Sequence, residues 1–401
     1  MQEYARKGLT MTLTRKHIWI LTTIVGISGL NQGLLLPLIA LLLEEKGVSS
    51  TVNGLHATGV YIGILFASLF MEAPLRKYGF RPLILGGGLT VTLCLLSFPL
   101  WDSLLFWFLL RFLIGIGDQT LHFATQTWIT AYSPAGSRGK IISLYGLFFG
   151  IGFAVGPFFL PLLAIHSALP FLVSAALSLA AILTIFLLEN QYPEKSGIET
   201  YTIRSTLVRF KKVLALAWAP LLPAFGYGVL EASLNSNFPV YGLRIGLEVE
   251  KISLILPAFS IGGIVFQLPL GIMSDKYGRR KVLLTVFALG TVLLWIMGMA
   301  ETSFLALFFC FFLFGMLLGS AYSLSLAFMT DSIPKQFLPA GNLLSGVCFS
   351  FGSISGPLIC GAFIQYFQSF SYFHFLSLFL LAIFLGLAKK RRPHPEDATQ
   401  K

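Results

Sequence analysis

The sequence predicts an all-α membrane protein, with twelve transmembrane helices in two pseudo-symmetric six-helix bundles. Three observations carry this expectation. Of the 401 residues, 56% belong to the set AVILMFWYC and only 11% are charged. Soluble domains average about 45–50% and about 25%, so a soluble globular or disordered chain is excluded. The apolar residues also fall in runs of the length a helix needs to cross a bilayer, about 20 residues. Finally, a set of glycine, proline and charged positions recurs at an offset of about 200 residues.

Apolar runs between charged and Pro/Gly breaks give spans at 17–43, 51–73, 82–100, 103–131, 139–164, 167–188, 214–243, 251–273, 281–300, 303–331, 338–366 and 369–388. Each is read as a helix, because an open strand leaves its backbone unpaired in lipid. The first run is too long for a signal peptide and reads as a retained span. The 38 Phe suit packing against lipid and against each other. Of the 28 Lys and Arg, 24 lie in one alternating set of segments, and the opposite set holds only Lys46, Arg244 and Lys251. Arg111 lies inside a span. The positive-inside rule therefore places both termini and the long connector in the cytoplasm. It also assigns the net charge of +11 to cytoplasmic loops, not to a nucleic-acid partner. The basic run Lys389 to Arg392 reads as a topology anchor beside anionic lipid. Cys94, Cys310, Cys348 and Cys360 sit in apolar runs without ligand spacing, so no disulfide, metal site or cofactor is expected.

The one long polar stretch divides the chain. The expected organisation is an N-terminal six-helix bundle at 1–188, a cytoplasmic connector at 189–213, a C-terminal six-helix bundle at 214–388 and a cytoplasmic tail at 389–401. Gly156-Pro157 recurs as Gly356-Pro357, Gly146 and Gly152 as Gly346 and Gly352, Gly115 as Gly315, and Lys77-Tyr78-Gly79 as Lys276-Tyr277-Gly278. Matches in register imply an internal duplication, with two similar halves around a central cavity.

The run Gly271-Ile272-Met273-Ser274-Asp275-Lys276-Tyr277-Gly278-Arg279-Arg280-Lys281 matches G-x-x-x-D-[RK]-x-G-R-[RK]-[RK]. Its first-half copy is degraded: Glu72 stands at the usual Gly and Arg76 at the usual Asp, followed by Gly79 and Arg81. Span 4 carries Arg111-Phe112-Leu113-Ile114-Gly115-Ile116-Gly117, and span 5 carries Gly152-Phe153-Ala154-Val155-Gly156-Pro157. On these motifs the chain resembles the major facilitator superfamily of secondary transporters over nearly its whole length. The resemblance implies the major facilitator fold and a gating loop in which Asp275 meets the positive end of a neighbouring helix. It links the Arg111 pattern to proton coupling and the span-5 pattern to antiporters. Spans 1, 4, 7 and 10 are expected to line the cavity. Together the motifs look most like proton-coupled drug and metabolite exporters, small bacterial proteins of the cytoplasmic membrane that act as monomers.

Ionisable groups inside a membrane are expensive and mark function. At about 100° per residue, Arg111, Asp118, His122 and Gln126 share one helical face of about 80°, expected to point into the cavity. Asp118 and His122, one turn apart, suit a shared proton; the alternative is a static Arg111–Asp118 pair. Glu231 in span 7, with Asn235 one turn on, suits a cationic group or a proton, or a structural partner across the bundle. Asn31 and Gln32 lie near mid-depth in span 1. Gln126, Tyr227, Gln267, Tyr322 and Asn342 are substrate contacts or helix–helix glue. His56 and His166 are expected near the outer surface as interface residues. A Phe-rich cavity with an acid suits amphipathic cations, while polar lining suits sugars or lipid-like solutes. The expectation is export of a small molecule against protons by alternating access, with proton-coupled uptake as the alternative and a non-transporting membrane receptor or enzyme as a remote one. Absent HExxH, a Ser/His/Asp set and G-x-x-x-x-G-K-[ST], an enzyme or an ATP-driven pump is disfavoured.

Overall fold

The first helix, α1 (Arg15–Glu45), starts behind Thr14, whose side chain accepts the His17 N–H. The computed structural model describes residues 14–68, 70–133, 138–193, 203–334 and 337–389. There follow α2 (Ser50–Ser68), the short α3 (Glu72–Tyr78), α4 (Phe80–Ser97), α5 (Leu104–Tyr132), α6 (Arg138–Val155) and α7 (Leu169–Leu183). The second half holds α8 (Ile203–Arg244), α9 (Val249–Tyr277), α10 (Arg279–Met299), α11 (Phe304–Leu318), α12 (Ala321–Ser332), α13 (Leu338–Tyr366) and α14 (Tyr372–Ala388). No strand occurs among the described residues.

Among the described residues, ten helical segments are long and apolar enough to cross a membrane, α11 and α12 counting as one. Two further helices complete the twelve spans. The 17-residue α14 is apolar but short, and α2 is diluted by Asn53, His56 and Thr58, all buried against neighbours. Span 51–73 is corrected: α2 ends at Ser68, and Glu72–Tyr78 is a separate helix. Span 214–243 is also longer than expected, since α8 reaches back to Ile203 into the polar stretch. It breaks at Ala217 (φ −134°, ψ 29°), just ahead of Pro220, whose ring displaces the preceding turn. In the fifth span, α6 tightens at Gly156-Pro157 into a 3-10 segment, Gly156–Ala164, because Pro157 and Pro161 lack the N–H that α-helical bonding needs.

The duplication is visible in atoms. Gly79 (φ +86°) joins α3 to α4, and Gly278 (φ +95°) joins α9 to α10, both in a region that glycine enters without strain. Two residues on, Arg81 Nη1 donates to Leu188 O at 3.3 Å. The equivalent Arg280 donates to Leu387 O at 3.0 Å and to Ala388 O at 2.9 Å. Each guanidinium thus satisfies carbonyls that the last helix of its half leaves open. Ser103 and Ser303 cap α5 and α11 in the same way. The helix pairs α1–α6 and α8–α13 approach through their backbones. A Cβ on Gly152 would fall 1.8 Å from Gly26 O, and one on Gly352 would fall 2.2 Å from Phe225 O.

The apolar core is not evenly shared between the two ends. At the end away from residues 14 and 389, one cluster runs through both halves, from Leu34, Leu38 and Leu42 to Leu230, Leu234 and Phe238. At the other end the clusters separate: Ile24, Phe80, Leu121 and Trp128 belong to the first half, Leu221, Met329 and Leu344 to the second. The far end is also latched by polar contacts between halves. Arg244 Nε and Nη2 donate to the two Glu44 oxygens at 2.7 and 3.3 Å, and Thr51 N donates to Gln365 Oε1 at 3.2 Å. Gly54 lets Pro357 O approach to where a Cβ would stand, at 2.1 Å. The molecule is closed at the far end.

Two outcomes follow from this packing. Gly152→Ala should cost about 1–3 kcal/mol of stability by overpacking, read as a lower melting temperature in detergent, while Gly146→Ala, whose Cβ would meet nothing within 4 Å, should melt as wild type. Arg244→Ala should speed maleimide labelling of a Thr51→Cys probe about two- to fivefold, the weight of one partly exposed ion pair; an unchanged rate would mean that the pair does not hold the far end shut.

Candidate functional site

Ser28, Asn31 and Gln32 lie at i, i+3 and i+4 on α1, so they share one helical face. That face meets Asp118 on α5. Asp118 is 4% exposed and accepts from the Ser28 hydroxyl at Oδ1 and from the Gln32 amide at Oδ2. His122, one turn along α5, places Nε2 2.9 Å from Ser28 Oγ and 3.7 Å from Asp118 Oδ2. Its Nδ1 is 2.6 Å from the Tyr145 hydroxyl on α6. Since Ser28 gives its proton to Asp118, the network assigns Nε2–H to His122, donated to Ser28, and leaves Nδ1 to accept from Tyr145. Every donor in the chain is then directed toward Asp118.

A pocket within the first half reaches this carboxylate from the α4 and α7 side, where Asn31 Nδ2 donates to Ser178 Oγ at 2.7 Å. Asp118 does not line the cavity between the halves: Arg111 and Asp118 are buried within their own bundle, while Gln126 on the same face is exposed. The reason is packing: α1 lies over that face and supplies its hydrogen bonds.

Arg111 is 1% exposed and is not paired with Asp118. The two are seven residues apart, about 10 Å along the helix. Instead Arg111 Nη1 lies 3.3 Å from His56 Nδ1, and His56 Nε2 lies 3.0 Å from Leu104 O. The carbonyl can only accept, so Nε2 carries the proton and Nδ1 accepts from the guanidinium. His56, expected as an interface residue near the outer surface, is 3% exposed and ties α2 to α5. Arg111 Nε and Nη2 have no hydrogen-bond partner among the described residues.

The cavity between the halves, of about 210 Å³, is walled by α6, α8 and α9. Its lining includes Phe149, Phe153, Tyr227, Glu231, Phe259 and Gln267. Lining from spans 5 and 8 replaces the expected share of spans 1 and 4. Glu231 is half-buried, and its carboxylate makes neither a hydrogen bond nor an ion pair among the described residues. Tyr61 of α2 lies within electrostatic reach of both Glu231 and Arg111. Asn235 turns away and donates to the Glu231 backbone oxygen at 2.8 Å. Tyr227 stacks on Phe349 at 6.1 Å, and Tyr322 meets the same ring edge-on at 5.4 Å. Gln126 and Asn342 are exposed and outside this lining.

In the loop after α9, Asp275 pairs with Arg279 at 3.3 Å, and Arg279 also bonds Asp331 at the end of α12. The gating motif thereby ties α9, α10 and α12, with Arg280 capping α14. The expected contact of Asp275 with a helix N-terminus gives way to this intra-loop pair. Gly271 faces open space, and Lys276 lies over the Tyr277 ring at 5.3 Å. Arg76 is exposed on α3; the Glu72 side chain lies outside the described residues. Gly156 and Gly356 pack against α1 and α8. Pro157 opens the 3-10 turn of span 5, and Pro357 O accepts from Asn237 Nδ2 at 3.1 Å.

Sequence reasoning missed Ser28, Tyr145, Tyr61 and the role of His56. Ser28 extends the polar face of Asn31 and Gln32 by one turn, which was a usable signal. Tyr145 is an isolated tyrosine in an apolar helix and carried none.

The Major Facilitator Superfamily model matches residues 21–252 and 245–401. The chain is 50% identical over 375 residues to an uncharacterized MFS-type transporter, YfkF, of Bacillus subtilis (strain 168), covering 94% of this chain and 95% of that protein. Among solved structures it is similar to the nucleoside transporter NupG, with TM-score 0.77, 13% identity and coverage of 94% of this chain and 100% of that one. It is similar also to a D-xylose-proton symporter, with TM-score 0.71, 12% identity and coverage of 93% and 98%. At such identities these two likenesses concern the fold.

Proposed function

This chain belongs to the major facilitator superfamily of secondary transporters, and on that premise we propose that it exports a small molecule in exchange for protons, with Asp118 as the proton site. It is a multi-pass integral membrane protein, not an enzyme. In the proposed setting it works as a monomer in a bacterial cytoplasmic membrane, with both termini inside and the closed far end facing out.

The observation that carries the reading is the buried carboxylate on which donors from α1 converge. Ionised Asp118 accepts from both Ser28 and Gln32. A protonated carboxyl gives up acceptor capacity and leaves a buried donor without its partner. Protonation therefore loosens α1 from α5. Since α1 also packs on α8, that change reaches the other half. The titratable groups facing Asp118 are His122 on its own helix and, through His122, Tyr145 on α6. The tyrosine–histidine–serine chain is a route for the proton, each step being a hydrogen bond already made. Arg111 has a positioning role, holding α5 to α2 through His56. Export is favoured over uptake by the G-x-x-x-G-P pattern that bends span 5 beside the central cavity.

Spin labels at Tyr78→Cys and Tyr277→Cys, equivalent positions at the open end, test the coupling without any solute. Acidification should shift the distance between them in the otherwise unaltered protein. Asp118→Asn, which cannot ionise, should hold the acid distance distribution at every pH. A full pH response in that variant would remove Asp118 from the mechanism.

A further inference from the structure

The cavity between the halves has an electrostatic asymmetry. Among the described residues, Glu231 is the only charged one in its lining, and no Lys, Arg or His shares the wall. Its carboxylate is without a hydrogen-bond or ion-pair partner among the described residues, unlike Asp118, which is held by Ser28 and Gln32. An uncompensated carboxylate inside a membrane protein is costly, and a cation in the cavity relieves that cost. We propose that this cavity binds a lipophilic organic cation with a single positive charge and a flat aromatic ring, held by Glu231 against an aromatic wall. The proposal rests on the transporter reading only where it calls this cation the substrate; the binding itself does not depend on it.

The rest of the lining narrows the class. Phe149, Phe153, Phe259 and Tyr227 present aromatic surface to the cavity. Aromatic faces attract a desolvated cation through their quadrupoles. Tyr227 is braced by stacking on Phe349, so its ring is held in place before a ligand arrives. Among the described residues, Ser260, Gln267 and the Tyr227 hydroxyl are the only other polar groups of side chains in the wall, too few to pair the hydroxyls of a sugar. An anion would meet the Glu231 charge with no positive side chain to offset it. A single carboxylate balances a single charge, so a dication would bring an unpaired charge into an apolar cavity.

The probes are ethidium, a planar aromatic monocation, and propidium, which carries the same ring system with a second charge. Binding to the purified full chain in detergent is read by fluorescence anisotropy, with uridine and xylose as uncharged competitors. Ethidium should bind, propidium should bind about tenfold more weakly, and neither uridine nor xylose should displace ethidium. Glu231→Gln should weaken ethidium at least tenfold, roughly the weight of one charge-assisted contact. Glu231→Asp, which keeps the charge, should recover most of the affinity, and Gln126→Ala, outside the cavity, should bind as wild type. Melting curves for each variant separate lost binding from lost folding. Unchanged ethidium affinity in Glu231→Gln, equal affinity for propidium, no binding at all, or displacement by uridine or xylose would each overturn the proposal. Since the spin-label distances are measured without a ligand, failure here leaves the proton reading of Asp118 to be judged separately.

Discussion

Backbone-to-backbone contact at glycine is the constraint on which the other features rest. Inside a bilayer, two helices gain nothing by hiding apolar surface from lipid, so close packing must supply their adhesion. The Gly26 carbonyl occupies the place that a side chain on residue 152 would need, and this draws α6 onto α1. Once those helices touch, Tyr145 of α6 meets His122, and Ser28 and Gln32 of α1 meet Asp118. The α8–α13 pair repeats the arrangement at Gly352 and Phe225, setting Glu231 and Tyr227 on the inner wall. The chemistry of both acids is therefore downstream of where no side chain stands.

The two acids do not occupy equivalent positions of the repeat: at the offset of about 200 residues, Asp118 corresponds to Leu318 and Glu231 to Asn31. Asp118 sits within one bundle, covered by donors, and the nearest space is a small pocket enclosed by its own half. Glu231 sits between the bundles, among aromatic rings and without a partner among the described residues. One carboxylate is already satisfied by donors of the protein. The other has no such partner among the described residues. The two carboxylates lie on different halves, so under the proposed function the relative motion of the halves is the means of linking them.

Closure of one end follows from how the apolar core is distributed. Where Leu34 to Leu42 pack on Leu230 to Phe238, the halves share one core and cannot part without exposing it. Where the clusters of Trp128 and Met329 belong to separate halves, no such cost arises. The Arg244–Glu44 pair adds a directional fastening to a surface closed mainly by packing.

The spans, the twofold repeat and the charged loops were legible in the sequence because each depends on local composition. A helix in lipid must be about 20 residues long and apolar wherever it packs, and the repeat preserves glycine and proline at close approaches. The ends of α2 and α8 were less legible: α2 stops at Ser68 within an unbroken apolar run, and the start of α8 lies in polar sequence. At the sites, residue type and spacing marked Asp118, His122, Arg111 and Glu231 but not their partners. Helical periodicity shows which residues share a face; it does not show which neighbouring helix covers that face. Only the packing of α1 against α5 gave Asp118 its donors, and only His56 on α2 separated Arg111 from the partner its own helix offered. Such contacts join residues far apart in the chain, so tertiary structure alone decides them.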